Sequence, residues 1–190
     1  MMREQLSLNE RFLEAARTGN LARVKEALAA GADLRTGHDY ALKSASMNGH
    51  LEVIKYLLEA GADLHAWNDY AFRWACREGH LEVVKFLVEE NADIHGSNNS
   101  ALREAYKNKH TAVVDYLFEK GVWEKKDKEG ISALMNVARG ECGPELIKAY
   151  NLFLDRKAAE KNAQEALAAQ ARVLKIQSIT KPLVIKKGKR

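Results

Sequence analysis

The chain has 190 residues, of which 46% are hydrophobic, 29% charged and 7% aromatic, with only 2 prolines. That composition supports one substantial core or a short array of stacked units, and it excludes collagen, a proline-rich linker, wholesale disorder and a long apolar membrane span. The formal charge of +4 is unevenly placed: residues 155–190 hold ten Lys/Arg against three acids, a net of +7, which leaves −3 for residues 1–154. The start, MMREQLSLNERFLEAA, has no apolar secretory stretch, and Cys76 and Cys142 are too few for a disulfide framework. The cytoplasm is the expected location.

After a short lead (residues 1–7), the sequence repeats every thirty residues. GADL stands at Gly31–Leu34 and Gly61–Leu64, and NADI follows at Asn91–Ile94. TGNLARVKEALAAGADL begins at Thr18, NGHLEVIKYLLEAGADLHA at Asn48, EGHLEVVKFLVEENADIHG at Glu78 and NKHTAVVDYLFEKGVW at Asn108. The units are 8–37, 38–67, 68–97 and 98–127, with a degenerate fifth over 128–154. A period of this length is the mark of a solenoid.

Each unit predicts two short helices. The first begins near Arg11, Ala41, Ala71 and Ala101, turning Leu42, Phe72 and Leu102 inward with Ala45, Ala75 and Ala105 one turn on. Gly49 and Gly79 end it, since glycine takes a left-handed backbone at little cost. The second helix carries an apolar stripe at spacings of three and four, Leu51, Ile54, Leu57 and Leu58, repeated by Leu81, Val84, Leu87 and Val88. Gly61 and Asn91 end it. One such hairpin cannot bury its stripe alone, so the units must stack.

The run Gly-His-Leu-Glu-Val-Val/Ile-Lys followed by Gly-Ala-Asp-Leu/Ile-His resembles the ankyrin repeat over residues 8–127. The resemblance implies an all-α ankyrin-repeat solenoid of stacked helix-turn-helix units with a C-terminal helix. The unit is about three residues short of the usual length, and only Trp67, Asn68 and Asp69 stand between Ala66 and Tyr70, so the fingers between units are expected as shortened hairpins or plain loops. A longer finger is expected near Ala133-Leu134. The thirty-residue type of unit looks like those of large DNA viruses and phages, which would place the chain in the cytoplasm of a host cell and make it an inhibitor of a host protein.

Catalysis and metal binding find little support. His50, His80 and His110 share one register, at the entry to the second helix, and His65 and His95 share another. Equivalent positions on stacked helices lie about 10 Å apart, whereas zinc ligands sit about 2.1 Å from the metal. The histidines read as hydrogen bonders at the helix entry, with His38 on a loop. Cys76 falls on a small core position and Cys142 on a loop. No catalytic residue, metal site or cofactor is assigned, and the chain does not read as an enzyme.

In the ankyrin family the fingers and first helices form a concave face that holds a protein partner. Carried onto this sequence, the contact positions are Met47, Asn48, Trp67, Asn68, Asp69, Trp74, Arg77, Glu78, Ser97, Glu104 and Lys107. Trp67 and Trp74 stand where other units have small or polar residues. Tyr40 and Tyr70 read as support for the fingers. Lys43, Arg73 and Arg103 share a register; they form a basic ladder along the stack or pair with Asp39, Asp69 or other nearby acids, and pairing is the expectation.

Residues 155–177 predict an alanine-rich helix, with Ala159, Ala163, Leu167, Ala171 and Leu174 on one face that caps the last unit or pairs with a second chain. Pro182 ends the helical region, and the tail 178–190 is basic. Three readings of the tail stand: a solvated segment, a peptide that adds a strand to or inserts into a partner, or a polyanion contact through Lys181, Lys186, Lys187, Lys189 and Arg190, which would make nucleic acid a second partner class. A protein partner, no membrane, and a monomer or weak homo-oligomer complete the expectations.

Overall fold

A computed structural model describes residues 7–122 and 143–179. Among these residues there are nine helices: α1 (Leu8–Arg17), α2 (Leu21–Ala29), α3 (Thr36–Met47), α4 (Leu51–Glu59), α5 (Ala66–Glu78), α6 (Leu81–Glu89), α7 (Gly96–Lys107), α8 (Thr111–Glu119) and α9 (Gly143–Ile179). The chain divides into two compact units, one ending at Ile147 and the other beginning at Lys148, and each is taken by itself.

The first unit is a solenoid of helical hairpins. The first helices stack in one layer, α1 on α3, α3 on α5 and α5 on α7, while α2 lies against α4 and α6 against α8 in a second layer. The thirty-residue period puts the same side chain type at the same place in each hairpin. Phe12, Leu42, Phe72 and Leu102 are buried in register, as are Val24, Ile54, Val84 and Val114 from the second helices. Ala15, Ala45, Ala75 and Ala105 are also buried and small, which lets consecutive first helices approach closely. The buried part of the second-helix stripe is shifted from the sequence reading: Val53 and Val83 join Ile54, Leu57, Val84 and Leu87, while Leu51, Leu58, Leu81 and Val88 are half-buried.

The first hairpin is closed at its start by side chains of its own. Ser7 and Glu10 form a reciprocal capping box: Glu10 N donates to Ser7 Oγ at 3.2 Å, and Ser7 N donates to Glu10 Oε2 at 2.6 Å. Asn20 caps α2 by accepting from Arg23 N at 3.1 Å. Later hairpins have histidine at the Asn20 register, and there the side chain does not cap its own helix. His50 Nε2 is instead 2.9 Å from Arg17 O, and His80 Nε2 is 2.9 Å from Met47 O. Each imidazole thus satisfies a carbonyl at the end of the previous first helix, one of the groups a helix terminus leaves without an internal partner. The expected hydrogen bond at helix entry is present, and its partner lies one hairpin back.

The connections between hairpins are neither β-hairpins nor plain loops. Each is a left-handed turn that opens the next first helix. Gly37, His38 and Asp39 have φ of 62°, 56° and 59°, and Trp67, Asn68 and Asp69 have φ of 56°, 57° and 54°. In the fourth hairpin Ser97 and Asn99 have φ of 50° and 56°. Glycine, asparagine and aspartate visit this region most readily, which accounts for Gly37, Asp39, Asn68, Asp69 and Asn99. His38, Trp67 and Ser97 carry the strain.

The helix α9 begins at Gly143 rather than at residue 155, so the boundary expected between 154 and 155 is not a helix boundary. Pro144 sits in the first turn of this 37-residue helix, where its missing N–H costs nothing, and no proline or glycine stands between Glu145 and Ile179. Within the second unit, Tyr150 and Phe153 stack at 6.3 Å and Lys157 pairs with Glu160 at 3.4 Å. Ala159, Ala163, Leu167 and Ala171 are exposed, Leu167 at 68%, so their face carries no buried seam. The expectations for Ala133, Leu134, Cys142 and the tail residues Lys181, Lys186, Lys187, Lys189 and Arg190 lie outside the described residues.

Candidate functional site

The left-handed turns of the second and third hairpins enclose a groove of about 680 Å³ between them. Its walls come from the turns themselves and from the first residues of α3 and α5. Trp67 is 64% exposed there, its ring edge-on to His38 with centroids 5.4 Å apart. Asn68 and Ser97 also line the groove and are exposed or at its edge. Tyr40 is 44% exposed on the opposite wall, and Tyr70 is half-buried.

Two cations organise this surface. Lys43 Nζ lies 4.5 Å from the centre of the Tyr40 ring, 5.0 Å from that of Tyr70 and 5.4 Å from that of Trp74. Arg73 donates from its guanidinium to Trp67 O at 2.9 Å and to Asn68 O at 3.2 Å, and it sits 4.9 Å from the Tyr70 ring centre. Arg73 therefore holds the left-handed turn that presents Trp67. The expectation that these cations pair with Asp39 and Asp69 is corrected. Both carboxylates are buried, and they serve the backbone of the next hairpin: Asp39 Oδ1 accepts from Asp63 N at 3.0 Å, and Asp69 Oδ1 accepts from Asp93 N at 3.3 Å. The same bond joins Asn9 Oδ1 to Asp33 N at 2.9 Å. Asp69 also receives His65 Nδ1 at 2.9 Å.

Asp69, read from the sequence as a partner contact, is thus only 5% exposed and holds the stack. The left-handed turn is the reason, since it directs residue 69 inward while leaving residue 67 outside.

The remaining candidates lie along the first helices. Trp74 is half-buried, edge-on to Tyr70 at 5.9 Å, with the Arg77 guanidinium 4.5 Å from its ring centre. Arg77 and Glu78 are exposed and approach to 3.6 Å. Met47 is exposed at the end of α3. The side-chain amides of Asn48 and Asn108 donate to Ser44 O at 2.8 Å and Glu104 O at 2.9 Å, closing the ends of α3 and α7. Asn48 thereby has a role in helix termination besides any contact it makes. Glu104 is half-buried and Lys107 is exposed in the last turn of α7. Trp67, Asn68 and Ser97 are brought to one groove, and Trp74 joins them through Tyr70 and Lys43.

Tyr40, Lys43, Arg73 and His38 belong to this surface and were not among the sequence candidates. Their signal was local: Tyr40 and Lys43, Tyr70 and Arg73, and Trp74 and Arg77 are each ring and cation at a spacing of three, which puts them side by side on a helix. Cys76 is fully buried, and burial pushes its thiol well above the ordinary range, so it stays protonated.

No curated protein matches the chain. Residues 42–88, which run from the first helix of the second hairpin to the end of the second helix of the third, match the sequence profile of the family described as ankyrin repeats (many copies). With hairpins of one period stacked on either side of that segment, the fold is an all-α ankyrin-repeat solenoid.

Proposed function

We propose that the chain is a binding module that holds a protein partner on the face formed by the left-handed turns and the first helices, centred on Trp67. Ankyrin repeats generally mediate protein–protein interaction, and they are generally scaffolds rather than enzymes. One observation carries the assignment to this face. Trp67 combines 64% exposure with a left-handed backbone, where a residue bearing a Cβ costs about 1–2 kcal/mol. Stability alone favours glycine, and Gly37 stands at that register one hairpin earlier. A large exposed aromatic placed at such a cost suits a contact residue, since interface hot spots are enriched in tryptophan. The proposed contact set is Trp67 with Asn68, Ser97, Trp74, Arg77, Glu78, Met47, Asn48, Glu104 and Lys107.

The resemblance of the thirty-residue units to those of large DNA viruses makes a host protein the proposed target, with inhibition as the consequence. The +7 charge of residues 155–190 against −3 for the rest supports a second, separate reading in which the tail contacts nucleic acid. Affinity capture from nuclease-treated lysate, read by mass spectrometry, tests the two. A protein retained by the wild type and lost by Trp67→Ala supports the concave face. Retention that survives Trp67→Ala and disappears on deletion of 178–190 supports the tail.

A further inference from the structure

Among the described residues, Lys43 and Arg73 have rings and carbonyls rather than carboxylates as neighbours. Lys43, Arg73 and Arg103 occupy one register on three stacked helices, α3, α5 and α7, so their helix positions are about 10 Å apart. Lys43 faces three rings and Arg73 faces two carbonyls and a ring. The acids that stand nearest in sequence are committed elsewhere: Asp39 and Asp69 to the backbone of the next hairpin, and Asp63 Oδ1 to His65 N at 2.9 Å. Glu14 on α1 is paired with Arg17 at 2.6 Å, and Glu78 on α5 with Arg77 at 3.6 Å. Glu104 follows Arg103 and lowers the positive potential at that end, so Lys43 and Arg73 carry most of the recognition.

Resting on the concave-face reading, we infer that the partner docks through an extended acidic segment with carboxylates at every third residue. An extended chain advances about 3.3 Å per residue, so three residues cover the spacing of about 10 Å between successive helix positions in this register. An apolar side chain of the same segment would lie against the exposed Trp67 in the groove. Carboxylates held by arginine and lysine against aromatic faces are partly desolvated, which strengthens the pairing. A single-stranded nucleic acid suits the surface less well. The faces of Tyr40, Tyr70 and Trp74 are occupied by Lys43, Arg73 and Arg77, so they do not offer the free stacking platforms that bases require.

The test is fluorescence polarisation of labelled peptides with the full chain. The first peptide carries Glu at positions i, i+3 and i+6 and one Leu in an otherwise Gly/Ser sequence; the second has the same composition with the three Glu adjacent; the third has Gln for each Glu. The spaced peptide is expected to bind about tenfold tighter than the clustered one and than the Gln peptide. Lys43→Gln should weaken binding of the spaced peptide about tenfold and leave that of the Gln peptide unchanged; Arg73→Gln also frees the turn that carries Trp67, so there the expected result is a loss for the spaced peptide about tenfold greater than the loss for the Gln peptide. Circular dichroism of each variant checks that the helices remain. Equal binding of the three peptides, or no binding of the spaced peptide at about 1 mM, overturns the inference. So does a twelve-nucleotide oligo-U that binds tighter than the spaced peptide and depends on the same two cations. A captured protein that needs Trp67 but is indifferent to Lys43→Gln and Arg73→Gln would overturn the acidic segment and leave the concave-face reading standing.

Discussion

The imidazole of His80 is seated on Gly49: a Cβ placed on that glycine would fall 2.7 Å from His80 Nδ1. The same relation joins Gly19 to His50 and Gly79 to His110. Glycine is required twice over at this register, once for its φ of 75° and once because the next hairpin's ring occupies the side-chain space. The fourth hairpin has Lys109 at this register with φ of 64°. At Gly61, which follows α4, φ is 95° and a Cβ would meet nothing within 4 Å, so only the backbone demand applies there.

That difference predicts two separable costs. Gly61→Ala introduces a Cβ at φ 95° with nothing within 4 Å of it, so it should cost only the backbone term, about 1–2 kcal/mol. Gly49→Ala adds displacement of His80 and loss of its bond to Met47 O, and should cost roughly 1 kcal/mol more. Urea titrations of the two variants give the comparison. Equal midpoints would mean that the ring contributes nothing. Lys109→Gly should stabilise by about 1 kcal/mol.

The bonds from Asn9, Asp39 and Asp69 to backbone N–H groups twenty-four residues on make one ladder between hairpins. Asn9 fills the same role with a carboxamide, so the geometry does not need a charge. Asp39→Asn is therefore expected to be close to neutral, while Asp39→Ala leaves a buried N–H without its acceptor and should cost about 1–3 kcal/mol. Thermal melting distinguishes them, and an Asn variant as damaged as the Ala variant would show that the negative charge itself is needed.

Acidification should loosen the start of the solenoid before its middle. The Ser7 backbone N–H, then its hydroxyl, holds the Glu10 carboxyl below its ordinary range. A carboxyl whose folded value is depressed contributes stability that is present above the unfolded value and is lost as the pH falls through the folded one. Hydrogen exchange at the amides of Ser7 and Glu10, corrected for intrinsic rates, should therefore quicken as the pH falls below 4.5, while that of Ile54 in α4 should not change in step. Glu10→Gln should remove the pH dependence. Exchange at Ser7 that follows Ile54 across the range would exclude the capping box as its cause.

The hairpins, their period and their terminating glycines were legible because each rests on a pattern that repeats: an apolar stripe at helical spacing, a glycine where φ is positive, a histidine at one register. The left-handed turns were not legible. A deficit of about three residues against the usual unit says that the finger is short, but successive residues in the left-handed region run against the ordinary preferences of tryptophan and serine. Asp69 was misplaced for the same reason, since adjacency to Trp67 suggests a shared surface until the turn separates them. The cations were matched to acids close in sequence, whereas those acids answer to amides twenty-four residues away. The start of α9 at Gly143 was obscured by extending the repeat to residue 154, although the sequence from Glu145 to Ile179 contains nothing that would break a helix.

Trp67 gives the test that separates function from stability at a single position. Trp67→Gly removes a left-handed residue with a Cβ and puts glycine where Gly37 already stands one hairpin earlier. It should raise stability by about 1 kcal/mol, after allowance for the lost contact with His38 and for the entropy that glycine adds to the unfolded chain. The same substitution should weaken the partner complex by about 2 kcal/mol, about thirtyfold. Trp67→Ala keeps the strain and should match the loss of binding without the gain in stability. The two effects have opposite signs in the glycine variant, so a melt and a titration on one protein suffice. A glycine variant that is less stable than the wild type would mean that Trp67 serves packing within the turn, and retained affinity would move the contact away from the groove.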